Sequence, residues 1–483
     1  MSSTVISRAQ DPQGQAPLPT DLPPNAGRAA AGIAIVLTAQ LMLVLDATVV
    51  NVALPHIATD LSFGPASLSW VLNAYTLAFG GLLLLGGRLG DVFGRRRLFW
   101  TGLAVFTVFS LVGGFALSPE MLVASRALQG VGAALAAPSV LALLTTSAPD
   151  QAARNRALAL FAAVSSGGGT LGLLLGGVVT DLGSWRWTLF INVPIGLAVL
   201  ATVRRFVDET PRRPGRFDIV GAVTATGAAV TVVWALIGTP EHGWTSARTI
   251  VGFAVGALLA AAFAATENRV AHPLLRPAVL RNRRRVTGLI AMAGIVGSQF
   301  PLFFLGVQYL ELQLGFGPVM TGLAFLPVTL GIFGVSRIVP RLVALVGQPP
   351  LILIGATGML ASFAWLSDLS TGSVYLDAFG PFLLNGLSAG LVFMPITSLV
   401  LTDVEPEHAG SVSGLLQTMQ QLGGAIGLAV IASVYAANAV PGAFIPGVRE
   451  AFLTSATLSG VAVVAALTLV VRRPRLVPVA EID

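Results

Sequence analysis

Apolar runs of about twenty residues recur along the whole chain, and they limit its possible folds more than any other feature. A helix that crosses the hydrocarbon core of a bilayer needs about 20 such residues, and inside the bilayer its backbone polar groups must bond to one another. The runs lie near residues 30–54, 67–87, 98–117, 121–145, 156–181, 187–206, 219–238, 247–266, 287–313, 319–340, 350–367, 375–401, 411–438 and 452–471. The sequence therefore predicts an all-α membrane protein with fourteen transmembrane helices.

The basic residues predict how these helices are oriented. The chain has 28 of them, all arginine, and most lie in the two tails or border every second gap between the runs. The exceptions are Arg126, Arg186, Arg248 and Arg449. Cytosolic loops carry the excess of basic residues, so we expect both termini in the cytosol and the chain in the cytoplasmic membrane. Because the arginines are dispersed in short gaps rather than gathered on a polar domain, we expect no nucleic-acid partner.

The stretch "GGRLGDVFGRRR" between the second and third runs concentrates five charged residues in a chain that is only 10% charged. Its glycines allow a tight reversal and a close approach of two helix ends. Its aspartate would be stabilised as an anion by the neighbouring arginines. The stretch therefore predicts a turn that can lock one arrangement of helices, a conformational-switch loop formed by Gly87, Arg88, Gly90, Asp91, Gly94, Arg95 and Arg96.

"GRLGDVFGRRR" resembles the loop signature of the major facilitator superfamily, with Val92 where a basic residue is common. Four other stretches resemble the 14-helix drug:proton antiporters of the EmrB/QacA type, and the resemblance runs from about residue 30 to 470. They are "LDATVVNVALP" (45–55), "WVLNAY" (70–75), "RALQGVGAA" (126–134) and "SWRWTLFINVPIG" (184–196). The chain is thus identified as a member of that family from these motifs taken together.

This resemblance implies the major facilitator fold, in which two six-helix bundles flank an inserted helix pair. The expected parts are a disordered cytosolic tail (1–28), an N-terminal bundle (29–207), the inserted pair with its cytosolic loops (208–285), a C-terminal bundle (286–471) and a cytosolic tail (472–483). It also implies proton-coupled export of small amphiphilic compounds, such as drugs, antibiotics or secreted metabolites, by alternating access. The expected partners are a small-molecule substrate, protons and the lipid bilayer, with the chain a monomer.

Other function classes fit the sequence less well. A uniporter or importer of a metabolite or lipid remains the alternative. A membrane-embedded enzyme would need a catalytic cluster at a membrane boundary, and the sequence shows none. The histidines fall in or beside the gaps, never at metal-ligand spacing, and cysteine is absent, so we expect neither a cofactor nor a metal site.

Asp46 and Arg126 are ionisable residues inside predicted membrane helices, where such residues are costly and mark functional sites. Counting residues from the helix ends at a rise of about 1.5 Å per residue places them within about 6 Å in depth, so they could pair directly or through water. Burial opposes a charged carboxylate whereas a nearby arginine stabilises it. A carboxyl group on which these two effects are balanced can take up and release a proton. The alternative is a permanent ion pair that only fixes helix packing.

The fifth run contains "SSGGGTLGLLLGG". Its glycines spell a dinucleotide-binding pattern, but no strand precedes it, so close packing of small residues is the better interpretation. The stretch also resembles the family's antiporter motif, Gly-Pro-x-x-Gly-Gly, with Leu173 in place of the proline. The glycines of this antiporter-motif helix are Gly168, Gly172, Gly176 and Gly177.

Further polar and aromatic residues of the runs are candidates for substrate binding, although hydrogen bonding between helices explains any one of them equally well. They are Asn73, Tyr75, Gln129, Gln299, Gln308, Asn385, Gln417, Gln420 and Gln421. Glu311 and Asp377 lie near helix ends, where solvation explains them. The runs at 319–340 and 411–438 contain no Asp or Glu, which favours a neutral or singly charged substrate over a dication.

Overall fold

The computed structural model describes residues 26–148, 150–212, 218–270, 281–402, 404, 409–440 and 446–471. Throughout these ranges the regular elements are helices, and no β-strand occurs among them. The prediction of an all-α protein is confirmed. The tails 1–25 and 472–483 and the loop segments 213–217 and 271–280 lie outside the described residues.

The helices before residue 270 follow the first eight apolar runs. They are α1 (Ala26–Asp60), α2 (Trp70–Phe93), α3 (Arg95–Gly114), α4 (Pro119–Ser147), α5 (Gln151–Leu182), α6 (Trp187–Phe190), α7 (Asn192–Phe206), α8 (Ile219–His242) and α9 (Ala247–Glu267). A 3₁₀ turn, Ser67–Ser69, precedes α2. Residues 26–28, which the sequence analysis assigned to a disordered tail, already belong to α1.

The later helices follow the remaining runs. They are α10 (Arg283–Gln308), which continues into a π-helical turn (Tyr309–Gln313), then α11 (Pro318–Ala324), α12 (Leu326–Ser336), α13 (Val339–Val346), α14 (Gln348–Leu366), α15 (Tyr375–Leu401), α16 (Ala409–Asn438) and α17 (Val448–Val471). Two predicted helices are interrupted, between α6 and α7 and between α11 and α12. Pro194 and Pro327 follow these breaks and cannot donate to the carbonyls of Phe190 and Leu323 four residues earlier.

Side-chain caps explain where several helices begin. Each cap accepts a hydrogen bond from the backbone N–H three residues later, which satisfies a group that the first helical turn leaves free. The capping residues are Ser118 of α4, Asp150 of α5, Asp218 of α8, Ser246 of α9 and Asn282 of α10.

Thirteen helical spans within the described residues are long and apolar enough to cross a membrane, with α6 and α7 together forming one span and α11 and α12 another. Helix α5 has 32 residues, but some of its side chains lie outside the described set, and its described apolar part is the shorter stretch Leu171–Leu182. The chain is therefore a multi-pass membrane protein, and the total of fourteen spans remains a prediction.

The helices pack side by side within each half, and the two halves also meet. Helix α4 packs between α2 and α3, α1 lies along α5 and α7, α10 lies along α16 and α17, and α14 packs against α15 and α17. Helices of the first half (α1–α7) meet those of the second half (α10–α17) along α2 and α16, α5 and α11, and α1 and α10. Helix α8 pairs with α9 and contacts both α2 and α16. It therefore touches one helix of each half.

Candidate functional site

Asp46 and Arg126 meet in the interior of the first half. Asp46 lies in the middle of α1 and Arg126 in the third turn of α4, and Nη1 of the arginine is 2.6 Å from Oδ2 of the carboxylate. Both residues are 1% exposed. The two residues, whose similar depth in the membrane was predicted from the sequence, are therefore in direct contact.

Two amide side chains complete the shell of the carboxylate. Asn192 of α7 donates from Nδ2 to Asp46 Oδ1 at 2.8 Å. Gln129, one turn along α4 from Arg126, donates from Nε2 to the same oxygen at 3.4 Å and accepts from Arg126 Nη1 at 3.1 Å. The Asp46 carboxylate therefore accepts from three donors, and charge-assisted hydrogen bonds of this kind are the strong ones in proteins.

Arg126 is also bound to α2. Its Nε donates to the Val71 carbonyl at 3.1 Å, and its guanidinium carbon lies 4.5 Å from the centre of the Tyr75 ring. Ser110 of α3 accepts from Gln129 Nε2 at 2.7 Å. The network thus joins five helices, α1, α2, α3, α4 and α7.

Asn192 and Ser110 belong to this network but were not predicted from the sequence. Asn192 belongs to "FINVP", inside one of the stretches that carried the family resemblance, and a lone amide in an apolar run was the signal that could have identified it. Ser110 gave no signal, because serine is common at helix contacts within membranes.

Several predicted binding residues carry buried polar atoms without a partner among the described residues. Both side-chain polar atoms of Asn73 on α2 and of Asn385 on α15 are in this state, as is Oε1 of Gln299 on α10. Buried polar atoms nearly always have a partner. These amides are therefore available to a ligand or to water.

The other predicted glutamines do not form one cluster. Gln308 donates to the Phe304 carbonyl of its own helix. Gln420 contacts the sulfur of Met292, while Gln421 packs against Gly80 of α2. Gln417 is exposed. Only Tyr75 and Gln129 of the nine candidates contact the Asp46–Arg126 pair directly.

The predicted switch loop is a sharp turn between α2 and α3. Gly94 has φ +105°, a conformation that favours glycine. Across the turn, Asp91 Oδ1 pairs with Arg95 Nη2 at 2.5 Å, and Arg95 Nη1 donates to the Pro138 carbonyl of α4 at 3.2 Å.

The other residues of the predicted switch loop lie beside these contacts. Gly90 lies against the Arg95 side chain. Gly87 faces Pro138 across ordinary contact distance, and Arg88 is partly buried.

Glu209, just beyond α7, holds this turn from the other side and was not identified from the sequence. Its carboxylate accepts from the backbone nitrogens of Arg96 at 2.9 Å and Arg97 at 3.2 Å. The Thr210 hydroxyl accepts from the Arg95 nitrogen at 3.2 Å. An anion at these free N–H groups complements the positive end of α3. A Cβ built on Gly94 would lie 2.7 Å from Glu209 Cδ, so the turn also needs glycine for space.

The α5 glycines place that helix against the part of α1 that carries Asp46. Gly168 lies against Val44, Gly172 against Thr48 and Gly176 against the Val49 backbone. Gly177 instead meets the Pro318 backbone of α11 in the second half. A side chain at these positions would collide with its neighbours, which supports the prediction of close packing.

Glu311 contradicts the expectation of a solvated residue at a helix end. It lies in the π-helical turn after α10, its side chain is 6% exposed, and its Oε2 is 3.7 Å from His56 Nδ1 of α1. Asp377 behaves as expected, since it is exposed and accepts from the Val374 nitrogen at the start of α15. The difference arises because the π turn lies against α11, which covers the Glu311 side chain.

Comparison with known proteins agrees with this architecture. The family model for the Major Facilitator Superfamily matches residues 36–428. The chain is 43% identical over 412 residues to the cephamycin export protein CmcT of Amycolatopsis lactamdurans, covering 84% of this chain and 85% of that protein. It is 40% identical over 411 residues to the puromycin resistance protein pur8 of Streptomyces alboniger, covering 83% and 81%.

A solved structure shows the same fold. The POT family transporter PepTSo superposes with a TM-score of 0.67 at 15% identity, covering 91% of this chain and 97% of that one. The family model, the two relatives and this fold therefore agree with the motifs of the sequence. The chain belongs to the major facilitator superfamily of membrane transporters.

Proposed function

We propose that this protein exports small amphiphilic compounds, antibiotics among them, across the cytoplasmic membrane in exchange for protons. The relatives named for cephamycin export and puromycin resistance support the substrate class. The observation that carries proton coupling is the buried Asp46–Arg126 pair, because membrane-embedded acid groups serve as proton relays in transporters. The basic gaps of the sequence support cytosolic termini.

Asp46 is the proton carrier in this proposal. In the described arrangement its carboxylate accepts hydrogen bonds from Arg126, Gln129 and Asn192. These donors come from α4 and α7, whereas Asp46 lies on α1. A movement of α1 relative to α4 and α7 removes donors while the site stays dry, and an isolated buried carboxylate then takes up a proton. Helix movement and proton loading are thereby linked.

The turn between α2 and α3 stabilises one arrangement of the first half. Asp91, Arg95 and Glu209 join α2, α3, α4 and the segment after α7 through short charged contacts. Because each contact depends on the relative position of two elements, the turn favours the state in which all of them form together. It acts far from the Asp46 network and so affects switching rather than binding.

The substrate is a neutral or singly charged amphiphile. Helices α11, α12 and α16 carry no acidic residue, and a buried dication would need more than one counter-charge. The unpartnered amides of Asn73 and Asn385 offer donors and acceptors to a polar group. Asn73 belongs to the first half and Asn385 to the second.

Purified protein in proteoliposomes tests the proposal. An imposed pH gradient should drive uphill movement of an antibiotic substrate, and dissipating the gradient with an ionophore should abolish it. The variant Asp46→Asn keeps the shape of the side chain but cannot exchange a proton. Uphill transport by this variant would contradict the role of Asp46, and gradient-independent equilibration by the wild type would indicate a uniporter instead.

A further inference from the structure

A second buried carboxylate lies where the two halves meet, at the end of the bundle opposite the α2–α3 turn. Glu311 of the second half faces His56 of the first half, with 3.7 Å between Oε2 and Nδ1. The carboxylate side chain is 6% exposed, whereas that of His56 is 46% exposed. The Asp46 network does not include this pair, and nothing in the proposed function uses it so far.

The surroundings of Glu311 leave its charge poorly compensated. Among the described residues, Oε1 has no hydrogen-bond partner of ordinary geometry, although the buried Thr321 hydroxyl of α11 lies beside it and is likewise unpartnered. An uncompensated carboxylate in such a place is costly.

The other charged groups at this end are engaged or exposed. Asp60 of α1 is bound by Arg186 at 2.6 Å and by the Trp185 indole at 2.8 Å. Asp181 of α5 is exposed, and exposed Asp377 caps α15. His56 is therefore the group that the structure sets against Glu311.

The backbones of the two halves touch beside this pair. A Cβ on Gly322 of α11 would lie 2.9 Å from the Leu173 carbonyl of α5, and Gly177 of α5 meets the Pro318 carbonyl. Separation of α5 from α11 would open the same end of the bundle. Water would then reach Glu311, whose burial depends on α11.

We propose that Glu311, together with His56, is a second proton-binding site that is occupied while the halves are closed at this end. In the closed state the pair holds one proton, either on the carboxyl group or on the imidazole. Loss of that proton leaves a buried anion beside a neutral ring, and opening relieves the cost by hydrating the carboxylate. Closure is therefore favoured at low pH and lost as pH rises.

The inference adds to the proposed exchange of substrate for protons and rests on it only for its role in transport. In an exporter, protonation from outside would let the emptied protein close its outer end and return to the inward-facing state. The closure itself is a property of the protein without substrate, so it can be measured apart from transport.

Distance measurement between spin labels tests this closure directly. The chain has no cysteine, so Leu117→Cys and Leu376→Cys introduce a labelled pair without further change. Both sites are highly exposed, at 84% and 76%, and lie in the first and second half near the closed end. Pulsed electron resonance on the full chain in nanodiscs, from pH 5.5 to 8.5, should show a short distance at low pH and a longer one at high pH.

Three variants test whether Glu311 and His56 cause the pH dependence of the distance between the labels. Glu311→Gln, which is permanently neutral, should keep the short distance at every pH. His56→Gln should move the transition to lower pH, because the closed state loses one of its two proton positions. Asp181→Asn, an exposed acid at the same end, is the matched control and should keep the wild-type transition.

Two results would overturn the proposal. One is a wild-type distance that does not change over this pH range. The other is a Glu311→Gln or His56→Gln protein with the wild-type transition, and His56→Gln keeps the test decisive if Glu311→Gln fails to fold. The protein could also show the expected pH-dependent distance change and variant effects without any proton-driven transport. That result would support the Glu311–His56 proton site and refute the exchange function.

Discussion

Replacing Asn192 by leucine should change the pH dependence of transport with little effect on folding. The amide gives Asp46 a charge-assisted hydrogen bond of 2.8 Å in a buried site, and bonds to charged groups contribute about 1.5–3 kcal/mol. Its other polar atom, Oδ1, has no partner among the described residues. Leucine has a similar volume and brings no unpartnered acceptor of its own, so the loss of stability should not exceed the contribution of this one bond.

The lost bond destabilises only the charged form of Asp46. Because one pH unit corresponds to about 1.4 kcal/mol, the pH at which exchange is half-maximal should rise by about one to two units. The measurement is substrate–proton exchange in proteoliposomes with equal pH on both sides, from pH 5 to 9.

Ser110→Ala provides the matched comparison. Ser110 bonds to Gln129, which in turn bonds to Asp46, so its removal should shift the profile in the same direction by a smaller amount. Thermal unfolding of each variant checks that folding is retained. An unchanged profile for Asn192→Leu, or a shift to lower pH, would refute the role of the Asp46 shell in proton loading.

Two further substitutions and one resistance assay test the remaining parts of the proposal. Arg126→Lys should impair coupling more than expression, because an ammonium carries its donors on one atom and lacks the planar guanidinium that reaches Val71, Gln129 and Asp46 from separate nitrogens; equal exchange rates per folded protein would contradict this. Asp91→Asn should slow transport while leaving substrate affinity nearly unchanged, and binding and transport on one preparation will show whether the opposite holds. Resistance assays in a host without its own exporters should show protection against neutral or singly charged amphiphiles and little against dications, and the reverse pattern would refute the substrate class.

The sequence predicted the helices and the central ion pair for clear physical reasons. Apolar length determines which segments can cross a bilayer, and the rise per residue gives depth, which is why Asp46 and Arg126 could be matched before their contact was known. The breaks before Pro194 and Pro327 were not predicted, since a continuous apolar run does not show whether proline ends a helix or is tolerated within it.

The apolar runs did not predict which side chains of each helix contact distant elements. Glu311 has the helix-end position of a solvated residue, but the π turn lies against α11, and that burial depends on a neighbour in the second half. Glu209 lies in a polar segment after α7, where an acidic residue is ordinary. Its role becomes visible only in the structure, where it accepts a hydrogen bond from the start of α3. Residues whose role depends on contacts between distant elements gave little signal of their own.

Helix α1 connects the two proposed proton sites. Asp46 and His56 are ten residues apart on it, which corresponds to about 15 Å along a helix axis. Pro55 lies between them, next to His56, and deprives the Asn51 carbonyl of its helical partner, so α1 can bend there at low cost. Helix α5 packs against α1 at Val44, Thr48 and Val49, on the Asp46 side of that proline. A bend at Pro55 would therefore let the end of α1 that carries His56 move with the second half while the segment that carries Asp46 stays against α5. Proton loss from the Glu311–His56 pair then need not disturb Asp46 at the same moment.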